Sequence, residues 1–145
     1  MKVLIETESD AEYKRLSRIV LEEDTEADVT HASSDGHYHH GPGYDLAVIS
    51  VDGAKGMEAV IPFRERYSRT MLIWITNDKY FAHMAMRKKV FEFLVRPYAD
   101  DEFRVAVKKF LRGDVELWKQ NPMAQEYYFV PDDPPPFVAG SYLYL

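Results

Sequence analysis

Residues 44–50 read YDLAVIS, and the four apolar residues inside this stretch, 46–49, decide the fold. Residues 71–75 repeat the pattern with MLIWI, and residues 3–5 repeat it with VLI. Every position in these runs is apolar, whereas a strand with one face in water alternates apolar and polar residues. Strands of this kind are covered on both faces. The runs therefore predict a parallel sheet between two layers of helices.

Helices are predicted in the segments between the strands. Ser9 stands three residues before Glu12, which is the spacing of a capping box, and predicts a helix that ends near residue 23. Apolar residues at helical spacing predict further helices over 56–67, 80–89 and 100–112. Pro62 predicts that the first of these either starts late or is kinked.

Two further strands complete the pattern, over residues 27–32 and 91–95. Strands that alternate with helices indicate a doubly wound α/β domain with five parallel strands and right-handed crossovers. Sites in such folds lie at the carboxyl ends of the strands. The residues that directly follow each strand are therefore the candidates for function.

Composition narrows the classes of function. The 145 residues carry a net charge of -6 and contain no cysteine. An acidic surface argues against nucleic-acid binding, and the lack of cysteine excludes disulfides and thiolate metal sites. Glu6 comes too early for a signal peptide, and no apolar run approaches the roughly 20 residues of a membrane helix. We therefore expect a cytoplasmic protein without nucleic-acid or membrane partners.

The domain pattern ends near residue 113. Residues 114–145 are rich in aromatic side chains, and 131–136 contain four prolines. A disordered segment rarely holds so many aromatic residues. We expect an α/β domain over residues 1–113, and an extension over 114–145 that packs on the domain or on a partner subunit.

Polar residues follow the strands at the predicted site. Thr7 and Glu8 follow the first strand, Ser50 ends the third, Thr76 ends the fourth and Arg96 follows the fifth. With the strands before them, these residues give the chain a pattern that resembles the receiver domain of bacterial response regulators. The matching segments are residues 2–5, 44–50, 73–76 and 93–98.

The resemblance covers about residues 1–112 and implies a flavodoxin-like fold. Residues 72–98 are most similar to receivers that precede LytTR-type DNA-binding domains, although we expect no such DNA-binding domain here. The link over residues 35–44 is too short for the full second helix of the family. We expect that helix to be reduced to a turn or lost.

The family's phosphorylation chemistry is incomplete here. The resemblance implies an aspartate that accepts phosphate, acids that hold Mg²⁺, and a lysine; this sequence has Ser50, Thr7 with Glu8, and Arg96 at those positions. An acyl phosphate needs a carboxylate nucleophile, which Ser50 lacks. Glu8 and Arg96 carry opposite charges, so we expect weak or lost Mg²⁺ binding and no other cofactor. Arg96 is expected to pair with Glu8 or to hydrogen-bond near Ser50.

The family's switch residues are retained as Thr76 and Phe93, with Pro97 nearby. In the family, this threonine and aromatic residue move with phosphorylation and reshape the face formed by the fourth helix, fifth strand and fifth helix. A threonine at a strand end and a buried phenylalanine are also common in proteins where they serve only for packing. We expect a phosphorylation-independent module without enzyme activity. It would bind protein partners, with homodimerisation through this face or an exchanged C-terminal extension preferred.

Three alternatives stay open. Asp52 lies two residues past the usual acceptor position and could serve a conventional phosphoacceptor receiver, or it could start a turn with Gly53. The strand-end pocket could bind a small ligand, although no glycine-rich phosphate loop supports this. A histidine cluster suggests zinc, but its irregular spacing favours exposed side chains. Its members are His31, His37, His39 and His40.

Overall fold

The computed structural model describes residues 1–33 and 43–113, and in this part of the chain it shows a five-stranded parallel sheet. The strands are β1 (Lys2–Thr7), β2 (Asp28–Ala32), β3 (Leu46–Ser50), β4 (Met71–Thr76) and β5 (Glu92–Val95). Their order across the sheet is β2-β1-β3-β4-β5, and every neighbouring pair is parallel. The predicted flavodoxin-like, doubly wound arrangement is confirmed.

Helices alternate with the strands as the sequence predicts. They are α1 (Asp10–Glu23), α2 (Gly53–Arg66), α3 (Ala82–Arg87), which follows a 3₁₀ turn over Lys79–Phe81, and α4 (Asp100–Leu111). Ser9 is the N-cap of α1, as predicted, and its hydroxyl oxygen accepts a hydrogen bond from the Glu12 amide at 3.1 Å. Of the two alternatives for α2, a late start or a kink, the late start does not occur, because the helix begins at Gly53 after its N-cap Asp52 and Pro62 lies inside it.

Apolar layers fill both sides of the sheet. Helices α1 and α4 cover one side, where Ile5, Val48 and Ile73 are fully buried. Helices α2 and α3 cover the other side, where Ile49 and Leu72 are fully buried. Burial of each such side chain stabilises the fold by about 1.5–3 kcal/mol. The strands therefore form a rigid frame, and the residues at their carboxyl ends are held in fixed relative positions.

Arg64 ties two loops together at the opposite end of the sheet. Its guanidinium donates hydrogen bonds of 2.8 to 3.3 Å to five backbone carbonyls. The acceptors are Tyr67, Ser68, Thr70, Lys88 and Lys89. One side chain thus donates to backbone carbonyls of both turns, the one before β4 and the one before β5.

Some expectations lie outside the described residues. These are the reduced second helix in the link over 35–44, most of the histidine cluster, and the extension over 114–145. Within the described residues, no helix combines the length and the apolar character needed to cross a bilayer.

Candidate functional site

The carboxyl ends of β1, β3, β4 and β5 meet at one edge of the sheet. The strand register places Thr7 beside Ser50 across the β1–β3 pair, and Thr76 beside Val95 across the β4–β5 pair. A cavity of about 380 Å³ opens there. Its lining consists of Thr7, Glu8, Ser9, Glu12, Ser50, Val51, Asp52, Lys55 and Arg96. The predicted strand-end pocket is therefore present as a cavity.

Glu12 is the centre of the hydrogen bonding in this cavity. Oε1 accepts from the hydroxyls of Thr7, at 2.9 Å, and Ser50, at 2.6 Å. Oε2 accepts from the Tyr98 hydroxyl at 2.8 Å and from Arg96 Nη1 in a short ion pair. Each carboxylate oxygen thus holds two donors, which satisfies the acceptor capacity expected of a buried carboxylate.

Arg96 links the acidic groups of the cavity. Besides its contact with Glu12, its Nη2 donates to Ser50 Oγ at 2.5 Å and its Nε donates to Asp52 Oδ1 at 2.8 Å. The expected contact near Ser50 is therefore present. The carboxylates that pair with Arg96 are Glu12 and Asp52, not the expected Glu8, which is exposed at the cavity mouth.

The network shifts the ionisation of its members. Burial alone would raise the pKa of Glu12, but hydrogen bonds from Ser50, Arg96, Tyr98 and Thr7 outweigh it and hold that pKa below its usual value. Burial and the adjacent Glu12 carboxylate raise the pKa of Tyr98, so its hydroxyl stays protonated. The pKa of Arg96 is raised because the hydrogen bonds to Asp52 and Glu12 outweigh the effect of its own burial.

The charge of the cavity differs from the value expected from Glu8 and Arg96 alone. Three carboxylates line it, those of Glu8, Glu12 and Asp52, against the cations of Lys55 and Arg96. The sequence-based balance omitted Glu12, Asp52 and Lys55. Among residues 1–33 and 43–113, no group of three or more histidine, aspartate or glutamate side chains could hold a metal ion.

Asp52 lies at the mouth of the cavity. It caps α2 through its backbone position and makes no side-chain cap hydrogen bond. Its side chain is 47% exposed, and one oxygen contacts Arg96. The expected turn with Gly53 is the start of α2, where Gly53 adopts a positive φ of 65°.

The predicted switch residues occupy different surroundings. Thr76 is fully buried at the end of β4, and its carbonyl accepts from the Arg96 amide at 2.8 Å. Phe93 is half-buried, and its ring meets the fully buried Trp74 edge-to-face at 5.5 Å. Pro97 follows Arg96 through a cis peptide bond and lines a second cavity with Arg15, Arg96 and Tyr98. Trp74 pairs with Phe93 across the strands and Thr76 follows Trp74 by two residues, so Thr76 and Phe93 belong to the same face of the sheet.

His31 is not among the residues that line the cavity. Its ring stacks on Tyr13 at 4.0 Å, and its Nε2 lies 3.0 Å from the Thr7 carbonyl oxygen. The other three members of the histidine cluster lie outside the described residues. Among the described residues, His31 belongs to no group of side chains that could hold a zinc ion.

Sequence reasoning missed Glu12 and Tyr98 as site residues. Glu12 was assigned to a capping box, and only the Ser9 half of that box forms, because the Glu12 carboxylate turns into the cavity. Tyr98 follows Arg96 by two residues, so it also stands just past a strand end. That position was the signal that could have found it.

The fold is that of response regulator receiver domains, and solved receiver structures are similar over most of the chain. A signal receiver domain of two-component signal transduction from Clostridium thermocellum has a TM-score of 0.67 and 18% identity, over 77% of this chain and 97% of that one. The orphan response regulator HP1043 of H. pylori has a TM-score of 0.62 and 19% identity, over 77% and 97%. The response regulatory domain of the protein MrkE from Klebsiella pneumoniae has a TM-score of 0.61 and 17% identity, over 83% and 100%.

No family model matches the sequence, and no curated protein matches it. At 17–19% identity the structural likeness shows the fold alone. The chemistry of the site therefore has to be argued from this chain's own residues.

Proposed function

We propose that this chain is a receiver-type signalling domain that works without phosphorylation, by binding a protein partner. The state of Ser50 carries the proposal. Ser50 is 3% exposed, donates its proton to Glu12 and accepts a hydrogen bond from Arg96. Both hydrogen-bonding functions of the hydroxyl are used inside the protein, so it is not presented to a phosphate donor.

The chemistry of Ser50 also argues against phosphotransfer. A receiver aspartate reacts as a carboxylate, whereas a hydroxyl needs a general base to remove its proton. Glu12 lies within hydrogen-bonding distance, but the hydrogen bonds that it accepts lower its pKa and make it a weaker proton acceptor than an ordinary carboxylate. We therefore expect neither autophosphorylation nor another enzymatic activity.

The residues of the cavity do not fit Mg²⁺. A hard divalent cation needs several carboxylate or carbonyl oxygens that are open to it. Arg96 already holds Glu12 and Asp52, and Lys55 adds a second cation to the lining. We propose that Mg²⁺ binding is weak or lost, and that no other cofactor is required.

Conventional phosphorylation on Asp52 is the second candidate function. Its side chain is 47% exposed at the mouth of the cavity, so a phosphate donor could reach it. Phosphorylation there would compete with the 2.8 Å contact to Arg96. Because phosphorylation of Asp52 would have to break this contact, the contact favours the phosphorylation-independent function.

Intact mass after incubation with acetyl phosphate and Mg²⁺ tests the proposal. The wild-type chain is expected to show no added phosphate, and so is its Asp52→Asn variant. A Ser50→Asp/Arg96→Lys variant restores the family's acceptor and lysine and serves as the reference. A hydroxylamine-labile phosphate on the wild type that disappears in Asp52→Asn would establish the second candidate instead.

Small-ligand binding in the cavity remains the third candidate. A volume of about 380 Å³ lies at the lower end of the range for small-molecule sites. Many of the polar groups in the lining are already bound to one another, which weakens the case for a ligand. A metabolite screen by thermal shift tests it, with a saturable rise in the unfolding temperature as the supporting result.

We propose the face formed by α3, β5 and α4 as the partner surface, with a second copy of this chain as its occupant. These elements correspond to the family's fourth helix, fifth strand and fifth helix. Val105 on α4 is 48% exposed, and Tyr80, in the 3₁₀ turn that precedes α3, is 81% exposed. Val105 lies one helical turn before Lys109, which bonds Glu92 of β5 at 3.0 Å. Large exposed apolar side chains such as these favour an interface.

Light scattering tests the homodimer. The wild-type chain is expected to be dimeric at micromolar concentration, and Val105→Lys is expected to shift it to a monomer. Leu21→Lys, at a 39% exposed position on α1, is the matched control. A chain that ends at Gly113 separates this face from an exchanged C-terminal extension, because only an exchange requires residues 114–145. A monomeric wild type at all concentrations contradicts the proposal.

A further inference from the structure

The Glu12 carboxylate lies inside a ring of donors that belong to other elements. Thr7 ends β1, Ser50 ends β3, and Arg96 and Tyr98 follow β5, and each of them donates to Glu12. Glu12 itself comes from α1. We propose that the four donors form an oxyanion site, and that the chain fills this site with its own glutamate as an intramolecular ligand.

The chemistry of the donors defines the ligand class. Three of them are neutral hydroxyls, on Thr7, Ser50 and Tyr98, and the fourth is the guanidinium of Arg96. A set of donors that includes one cation recognises an anionic oxygen pair. The donors divide evenly between Oε1 and Oε2, so a small carboxylate such as formate or acetate matches the arrangement.

Burial makes the site dependent on its ligand. Thr7 is 2% exposed, Ser50 is 3% exposed and the Glu12 side chain is 10% exposed. Without the carboxylate, these buried donors would have too few hydrogen-bond acceptors, which lowers the stability of the fold. Truncation of Glu12 should therefore leave a space that a free anion stabilises.

The tether to α1 should keep free anions out of this site in the wild-type protein. Helix α1 is anchored by Leu16, Ile19 and Val20, all fully buried, and holds Glu12 next to its donors. A ligand held in place by its own chain has a high effective concentration. Dissolved carboxylates at millimolar concentration cannot compete with it. The inference rests on the proposed function only in that Ser50 carries no phosphate.

Chemical rescue of Glu12→Ala tests the inference. We measure the unfolding temperature in sodium formate and in sodium chloride at equal ionic strength. In about 200 mM formate the variant should unfold at least about 3 °C higher than in chloride. The wild type and Glu8→Ala, whose carboxylate lines the same cavity outside the donor ring, should show no difference between the salts. The double variant Glu12→Ala/Arg96→Met should lose the effect of formate.

Each remaining result has a defined meaning. If Glu12→Ala is unfolded in chloride, recovery of its helical circular dichroism on addition of formate supports the site, and absence of recovery overturns it. An equal gain in all variants would show a general salt effect and overturn it as well. A phosphate found on the wild-type chain would instead overturn the proposed function. The two ideas can therefore fail separately.

Discussion

Glu12 and Ser50 lie 38 positions apart in the chain, and the Ser50 hydroxyl donates a 2.6 Å hydrogen bond to the Glu12 carboxylate. The same hydroxyl oxygen accepts from Arg96. Residues from α1, from the end of β3 and from the segment after β5 are thus joined in one network. The end of β3 is thereby joined to α1 and to the segment after β5 through Ser50.

Replacement of Glu12 by glutamine should destabilise the protein. Glutamine keeps the size of the side chain but removes its charge and turns one acceptor into a donor, which would face donors already in place. We expect Glu12→Gln to lower the free energy of unfolding by about 1–3 kcal/mol. Urea denaturation measures this. Glu8→Gln, at an exposed position, should change it by less than about 0.5 kcal/mol. Equal effects of the two variants would contradict the central role of Glu12.

Stability should depend on pH through Glu12. Its pKa in the folded protein lies below the ordinary value of 4.5. A carboxyl group with a lowered pKa contributes stability that is present above its unfolded pKa and is lost as the pH falls through the folded pKa. The difference in unfolding free energy between the wild type and Glu12→Gln should therefore be largest above pH 4.5 and shrink below it. Urea titrations at stepwise lower pH measure the difference, and a gap that widens in acid would refute the assignment.

Gly56→Ala should destabilise α2, although alanine is normally preferred over glycine in a helix. A Cβ at Gly56 would lie 2.2 Å from the Val51 carbonyl oxygen and 3.3 Å from Trp74 Nε1, so the backbone would have to move. We expect a loss of about 2 kcal/mol or more in the free energy of unfolding. Gly53→Ala is the comparison, because it meets no atom within 4 Å but has a positive φ of 65°. That strain should cost about 1–2 kcal/mol. A stabilised Gly56→Ala would show that the close approach is absent.

Arg64→Ala should weaken the packing of the loops before β4 and β5. The variant leaves five carbonyl oxygens without the guanidinium that they share. We expect a loss of about 2–4 kcal/mol in the free energy of unfolding, measured by urea denaturation. Hydrogen exchange should show faster exchange in both loops. Arg69→Ala removes an exposed arginine from the same region and is the control. If both variants behave alike, the shared hydrogen bonds contribute nothing specific.

The fold could be predicted because its signals are local. The runs that became β3 and β4 are apolar at each position, and both strands are buried throughout. The Ser9 cap set the start of α1 correctly. The start of α2 was less predictable, because Pro62 allowed either a late start or a kink. That helix instead begins at Gly53, which the local preference of proline did not reveal.

The site could be predicted only in part. Thr7, Ser50, Asp52 and Arg96 were found because residues after parallel strands meet at one edge. Glu12 was missed because its spacing from Ser9 also fits a helix cap. Which contact its carboxylate makes depends on donors that are distant along the chain.

Local patterns were enough to predict the five parallel strands, the helices between them and a serine at the end of β3, because periodicity and strand-end position are properties of short segments. The place of Glu12 in the cavity, and the binding of both Glu12 and Asp52 by Arg96, depend instead on how the chain folds. A carboxylate turns to the donors that surround it, and those donors come from three different parts of the chain. Their convergence exists only in the folded protein.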